Sequence, residues 1–435
     1  MHLNPTRRQV LQFLSACGVS LALPAMTARA AARRRDERPK SLITLWMNGG
    51  MSQLETWDPH PGTKSGGEVK DIATSNKDVR ISELLPQMAE QLHSCMLIRS
   101  LTSKEGDHER GAAFVKTGYR PEPTLKYPTL GAIAAHELTN SELEIPQYVT
   151  LAPDRIVPEG GYLGNQWDAF RVFQPGNGLS NLKSYVSPER QADRLQGLHV
   201  VSQQFEQRRQ FGAKRTLHQN TLDRALEMMS SEQLKAFELD TESTGVKAAY
   251  GDTSFGRGCL VARRLVEVGV RSIEVTLPGF DTHVANHSGH VTNCKILDPA
   301  IATLIQELRE RDLLDSTIVL CISEFGRTPG INPAAGRDHW PNWFSCMIAG
   351  GGFRENTVIG ATPTDVFEGK KADGKLILPA APVLVPELYA TIMATMGIDF
   401  RKEIVTPIGR PIRFADALPS AYLLKEDVAG KVIRS

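Results

Sequence analysis

The chain has 435 residues and is 41% hydrophobic, enough to bury one large core or two domains. Lysine and arginine total 50 against 49 aspartates and glutamates, so the charge balance argues against nucleic acid or a broad anionic surface as partner.

The first element is a leader. Thr6-Arg7-Arg8-Gln9-Val10-Leu11 is a twin-arginine pattern, followed by an apolar stretch to Met26 and a small-residue site at Ala28-Arg29-Ala30. Residues 1–30 therefore read as a signal for the twin-arginine export machinery, cleaved after Ala30 and delivering the protein to the periplasm or the exterior. The apolar stretch is too short and wrongly flanked for a membrane span. A lipoprotein box ending at Cys17 ranks below this reading, because most of the apolar stretch follows Cys17 instead of preceding it. Twin-arginine export carries folded proteins, often with a metal already loaded, which points toward a metalloprotein. Residues 31–40 form a charged linker. Cys95, Cys259, Cys294, Cys321 and Cys346 are scattered through apolar runs and read as buried thiols.

From Ser41 the chain alternates apolar runs with helical patterns. Ser41 to Met47 is a buried strand ending in Asn48-Gly49-Gly50, and Glu55 with Asp58 follow three residues apart, able to face one way on a helical turn. The alternative is acidic capping of a helix N-terminus. Spacing of Ile81, Leu84, Leu85 and Met88 predicts a helix over 81–92, and Cys95 to Ile98 a strand. The loop predicted at 100–110 carries Lys104, Glu105, Asp107, His108, Glu109 and Arg110, ahead of a helix from Ala112 to Lys116. A helix over 130–138 and a strand over 148–151 come next, then loop aromatics Tyr162, Trp167, Phe170 and Phe173 that read as cover for the core edge. Residues of about 187–245 are polar and helical, an insertion of two or three amphipathic helices.

A helix over 259–268 and a strand over 271–277 then lead to Asp281, His283, His287 and His290. Carboxylate plus imidazole suits a first-row divalent metal, zinc, manganese or iron ahead of calcium. His283 and His287, four apart, could share a helix face, and a helix is predicted over 297–314. Val319 to Ile322 is a continuous apolar run, the pattern of a strand buried on both faces. It ends at Glu324, followed by a glycine- and proline-rich loop presenting Arg327, Arg337, Asp338 and His339. Ligands bind at the carboxyl ends of strands in open α/β sheets, so this cluster is the leading site candidate over a surface Glu324–Arg327 pair. A strand over 345–349, a helix over 386–396 and a short strand over 411–414 complete an α/β sandwich with a mostly parallel sheet flanked by helices.

The motifs MNGGMSQLETWDP, GFDTH, SEFGRTP, GRDHWP, AGGGF and LYATIMATMGID resemble the family catalogued as domain of unknown function 1501, over about Ser41 to the C-terminus. That family resembles the alkaline phosphatase and sulfatase superfamily, which implies an alkaline-phosphatase-like sandwich over 41–435 and secreted hydrolase ancestry. In this chain Asn48-Gly49 stands at the superfamily's first-strand Asp-Gly, His108 at its nucleophile, and Glu324-Phe325 at a metal-binding Asp-His. The metal residues implied are Asp281 with His283 or His287, and His339, with Glu324, Asp338, Glu55 and Asp58 as further candidates. No Ser, Thr or Cys stands at 108, so a covalent cycle has no oxygen or sulfur nucleophile. The expectation is a metal-assisted hydrolase of sulfate or phosphate esters, small-molecule or glycan, with His108, Glu324 and Arg327 in the chemistry. Arg110, Arg337 and Asn48 are its candidate substrate contacts. The competing expectation is a catalytically inactive binding or envelope protein on the same fold.

Overall fold

The structure is a computed structural model that describes residues 40–180, 182, 184–208, 218–364, 379 and 381–434. The leader, Cys17 and all but the last residue of the linker lie outside the described residues. No described helix is long and apolar enough to cross a membrane.

A nine-stranded sheet organises the chain. Its strands are β1 (Ser41–Met47), β2 (Cys95–Thr102), β3 (Tyr148–Leu151), β4 (Phe170–Val172), β5 (Ser272–Leu277), β6 (Thr317–Ile322), β7 (Phe344–Gly350), β8 (Thr357–Ile359) and β9 (Val383–Leu384). They lie in the order β8-β2-β7-β6-β1-β5-β3-β4, with β9 also on β2. Strand β1 is central, paired in parallel with β5 on one side and β6 on the other. Its sequence lacks alternation because both faces are covered: Ile43, Leu45 and Met47 enter one apolar cluster and Leu42 and Trp46 the other. Fully burying each such side chain contributes about 1.5–3 kcal/mol. The sandwich and its mostly parallel sheet match the sequence expectation.

Only β7, among the described strands of this sheet, runs against the rest, antiparallel to both β6 and β2. The sense of that strand decides where the site lies. Chain leaving β1, β2, β5 and β6 emerges at one edge of the sheet, and chain entering β7 must start from the same edge. Asn48, His108, Asp281, Glu324 and His339 therefore converge there, beside the point where the order reverses around β1.

Three predicted elements that bear on the site shift. The helix expected over 81–92 starts at Pro86, as α1 (Pro86–Gln91), because Ile81 belongs to a short hairpin strand, Arg80–Ser82, paired with Asp71–Ala73. The loop expected over 100–110 is shorter, since β2 continues to Thr102 and α2 (His108–Thr117) begins at His108. Asp107 caps α2, its side chain accepting from the Arg110 N–H, and Gly118 ends it in the left-handed region at φ 77°. Lys116 pins α2 to the sheet through a buried 2.5 Å ion pair with Glu274 of β5. The helix expected over 297–314 instead spans Asn286–Glu310 and is preceded by Ala285 at φ 49°. His283 thus precedes that helix, while His287 and His290 lie inside it, so the shared helix face expected of His283 and His287 does not form.

The polar segment of about 187–245 contains helices at Pro188–Arg208, His218–Ser230 and, from its end, Thr244–Tyr250. Trp167 packs edge-on against His136, and Phe170 lies 6.5 Å from Phe237, both away from the strand-end cluster. All five cysteines after the leader are buried and free.

Candidate metal centre

Each strand end places its residue through backbone contacts. Gly49, just past β1, lies at φ 113°, a region open to glycine. A Cβ there would stand 2.4 Å from the Asp281 nitrogen, so the β1 turn and the Asp281 loop are in direct backbone contact. The Gly49 N–H donates to Glu324 Oε1 at 2.8 Å, linking the β1 and β6 ends. Substituting Gly49→Ala should therefore cost about 2–5 kcal/mol, combining backbone strain with a clash that cannot relax. Urea denaturation measures this, and a loss within about 0.5 kcal/mol would contradict the required close approach.

His108, Asp281, His283 and His339 each direct one ligand atom to a common point, all within 4.8 Å of one another. The histidine protons follow from their outer partners. His108 Nδ1 lies 2.9 Å from Glu324 Oε1, His283 Nδ1 3.0 Å from Asp338 Oδ1, and His339 Nδ1 2.7 Å from the Gly106 carbonyl. A carboxylate or a carbonyl can only accept, so each Nδ1 carries a hydrogen, and a ring that is neutral turns an Nε2 lone pair inward. His283 Nε2 and His339 Nε2 then face each other at 2.9 Å, and Asp281 Oδ1 lies 3.2 Å from the first and 3.6 Å from the second. Where both rings are neutral, two lone pairs and a carboxylate oxygen at these separations repel unless a metal ion, or a proton on one Nε2, lies between them.

The spacing fits a metal ion. Bonds of about 2.0–2.2 Å put neighbouring ligand atoms about 2.9 Å apart at right angles and about 3.4 Å apart in a tetrahedron. The Asp281, His283 and His339 separations bracket those values. Asp281 and His283 side chains are 51% and 42% exposed, so the cluster opens to solvent.

Opposing environments act on the titratable groups. The Glu324 hydrogen bond raises the pKa of His108 against the effect of its burial, whereas burial lowers that of His339, helped by nearby Arg327. Burial pushes the Asp281 carboxyl up, but the Arg327 hydrogen bond and charge outweigh it and hold it below the usual carboxylate range. Asp338 is also held low, chiefly by its hydrogen bond with His283.

The remaining sequence candidates are not among the four converging groups. Glu324 is buried behind His108, and Asp338 stands behind His283; both are acceptors for ring N–H groups. Arg327 is fully buried and donates to Asp281 Oδ1 at 2.7 Å and to carbonyls of Gly49, Gly50, Phe280 and Arg337. Arg337, also fully buried, spends its donors on Glu55 and on the Ser65, Thr328 and Pro329 carbonyls, leaving none for a substrate. Glu55 is the other half of that pair and does not join the cluster. Asp58 is buried against Arg99 at 3.1 Å and His60 at 3.4 Å, also outside it. Arg110 is exposed and held by Glu105 at 2.8 Å. Asn48 donates from Nδ2 to Asp154 at 2.6 Å, its amide oriented by the Trp46 indole N–H at 3.1 Å.

The Glu55–Arg337 pair has a pH consequence. Burial alone would raise the Glu55 pKa, but the Arg337 charge leads the groups that hold it below its ordinary 4.5. A depressed carboxylate stabilises the fold above its unfolded pKa, and that contribution is lost as pH falls through the folded value. Unfolding free energy should therefore decline below about pH 4.5, and the decline should be shallower in Glu55→Gln. Parallel pH profiles for the two proteins would refute this assignment.

Sequence reasoning missed the Gly106 carbonyl, Phe325 and Asn332. A carbonyl leaves no side-chain signal. Phe325 stood out only as a departure from the superfamily pattern, yet its buried ring lies 4.3 Å from that of His339 and 5.2 Å from that of His108, flooring the cluster.

The family described as "Protein of unknown function (DUF1501)" matches residues 39–425. No curated protein matches the chain in sequence. Among solved structures it is similar to the PsFucS1 sulfatase from Pseudoalteromonas sp., with 10% identity, 91% of this chain and 74% of that one covered, and TM-score 0.42. A putative sulfatase from Bacteroides thetaiotaomicron gives 10% identity, 90% and 75% coverage, and TM-score 0.38. A TAB5 alkaline phosphatase variant with magnesium bound gives 10%, 83%, 99% and 0.36. All three TM-scores are below 0.5.

Proposed function

The chain belongs to the DUF1501 family of proteins of unknown function, and we propose that it is an exported, metal-dependent hydrolase of sulfate or phosphate esters, small-molecule or glycan. The observation carrying the metal reading is the 2.9 Å approach of His283 Nε2 to His339 Nε2 while both Nδ1 hydrogens are committed elsewhere. Asp281, His283 and His339 would hold the ion, and His108 is the acid and base. Two imidazoles and one carboxylate suit zinc, manganese or iron better than calcium. Bound there, a divalent ion supplies Lewis acidity toward the ester.

The protein's own groups do the rest. His108 Nε2, 3.3 Å from Asp281 Oδ1, faces the point where an ester would meet the ligands, within reach of a water or a leaving oxygen. Glu324 holds the ring by its Nδ1–H and offsets the charge when Nε2 also takes a proton. Arg327 partly neutralises Asp281 and fixes its rotamer. Without an oxygen or sulfur nucleophile at 108, water attacks directly in a single displacement. Arg110 and Asn48 are the groups proposed to meet the anionic ester.

Metal analysis of the folded, purified protein, followed by assays with aryl sulfates, phosphomonoesters and phosphodiesters, tests the proposal. Stoichiometric metal with turnover of one of these classes is expected. Absence of stoichiometric metal would overturn it, and metal without turnover would favour a binding protein that keeps the site.

A further inference from the structure

The three inward-facing imidazoles are not held equally. Glu324, behind His108, is 1% exposed, and the Gly106 carbonyl behind His339 is backbone, so both partners are fixed by their surroundings. Asp338, behind His283, is a side chain 60% exposed, free by itself to sample other rotamers. Something must hold it.

We infer that Asn332 is the positioning residue for His283, acting through Asp338; the inference rests on the metal reading above. Asn332 Nδ2 donates to Asp338 Oδ1 at 3.3 Å, the same oxygen that accepts from His283 Nδ1, and to the His283 carbonyl at 3.0 Å. One amide thus grips His283 at its backbone and, through the carboxylate, at its ring. The amide orientation is determined, because Asn332 Oδ1 accepts from the N–H groups of Ala334 at 3.0 Å and Gly336 at 2.9 Å.

The surrounding backbone shows how tightly the two ligand-bearing loops are joined. Ala285 N donates to the Ala334 carbonyl, Asn286 N to that of Ala335, and Arg337 N to that of Thr282. Ala285 and Ala335 both lie in the left-handed region, at φ 49° and 56°, strain the lacing must sustain. A Cβ on Gly336 would stand 1.8 Å from the His283 carbonyl oxygen. Asn332 is the side chain at the centre of this seam, which carries Asp281 and His283 on one strand-end loop and Asp338 and His339 on the other. Outer partners of metal-bound histidines influence affinity by roughly 10–100-fold when removed.

The test is Co2+ binding to the full-length folded protein after chelator treatment, read as affinity by chelator competition and as the visible Co2+ spectrum. Asn332→Ala is expected to weaken Co2+ about 10–100-fold and shift its spectrum. Asp338→Asn should do the same, Asp338→Glu should recover part of the affinity, and the double variant should lose little beyond either single one. Affinity in Asn332→Ala within twofold of the parent, or fully additive losses, would overturn the assignment. Should Asn332→Ala fail to fold, Asp338→Asn decides: parental affinity and spectrum overturn it, while weakened binding rescued by Asp338→Glu supports it. A parent protein that binds no Co2+ would sink the metal reading itself and this inference with it. A parent that binds well, with indifferent variants, sinks only the inference.

Discussion

His283→Ala is expected to abolish stoichiometric metal and turnover together, whereas His108→Ala is expected to keep the metal and lose turnover by about 10²–10⁴-fold, the usual contribution of a positioned acid or base. The difference follows from geometry. His283 Nε2 is 2.9 Å from His339 Nε2 and 3.2 Å from Asp281, inside the tight triad. His108 Nε2 stands 3.3 Å from Asp281 Oδ1, outside the 2.9 Å contact of His283 with His339, and its Nδ1 hydrogen is committed to buried Glu324. A fourth protein ligand would close the site, as in structural metal centres, while three leave a position for substrate. Metal content and turnover measured on the same preparations separate these cases. Loss of metal in His108→Ala would make His108 a ligand and the centre a closed one. Unchanged turnover in both variants would remove the chemistry from this edge of the sheet.

How much of this was legible in the sequence depended on the kind of signal. Strands β1 and β6 were readable because their apolar runs lack alternation, β5 because Ile273, Val275 and Leu277 alternate with polar residues, and the acids and histidines beyond them were readable as strand-end residues. Asp281, His283 and His339 were singled out on that ground, and the structure brings them together. The carboxylates were harder. Glu324, Asp338, Glu55 and Asp58 all looked like ligands, because spacing in sequence cannot tell a carboxylate that faces a metal from one that accepts a histidine N–H or an arginine fork. Glu55 and Arg337 pair across 282 positions, a contact no local pattern reports. The direction of β7 was equally hidden, since an apolar run reads the same in either sense, yet that direction carries His339 to the site. Residue 332 had no signal beyond its place in a glycine-rich loop, where an asparagine ordinarily means a turn. Three of its four side-chain hydrogen bonds close within its own loop, to Ala334, Gly336 and Asp338, and the one to the His283 carbonyl crosses to the loop 49 positions away.

Arg327→Met should be the most damaging change to stability at this edge, costing about 3–5 kcal/mol. The side chain is fully buried, and its donors serve carbonyls at Gly49 and Gly50 after β1, Phe280 after β5 and Arg337 ahead of β7, besides the Asp281 carboxylate. Methionine fills similar volume but leaves those carbonyls unsatisfied and Asp281 without its cation, each lost buried partner costing about 1–3 kcal/mol before relaxation. Lysine should recover little, because one ammonium with three donors cannot replace a planar fork with five. The measurement is urea denaturation of chelated protein, so that metal linkage does not enter the comparison. Arg110→Ala, an exposed side chain whose loss leaves Glu105 paired with Arg120 at 2.7 Å, serves as the near-silent control. A loss below about 1 kcal/mol in Arg327→Met would mean that the strand-end loops hold their places without the guanidinium. The close approach of Gly49 to Asp281 would then be left as the main constraint on the cluster of Asp281, His283 and His339.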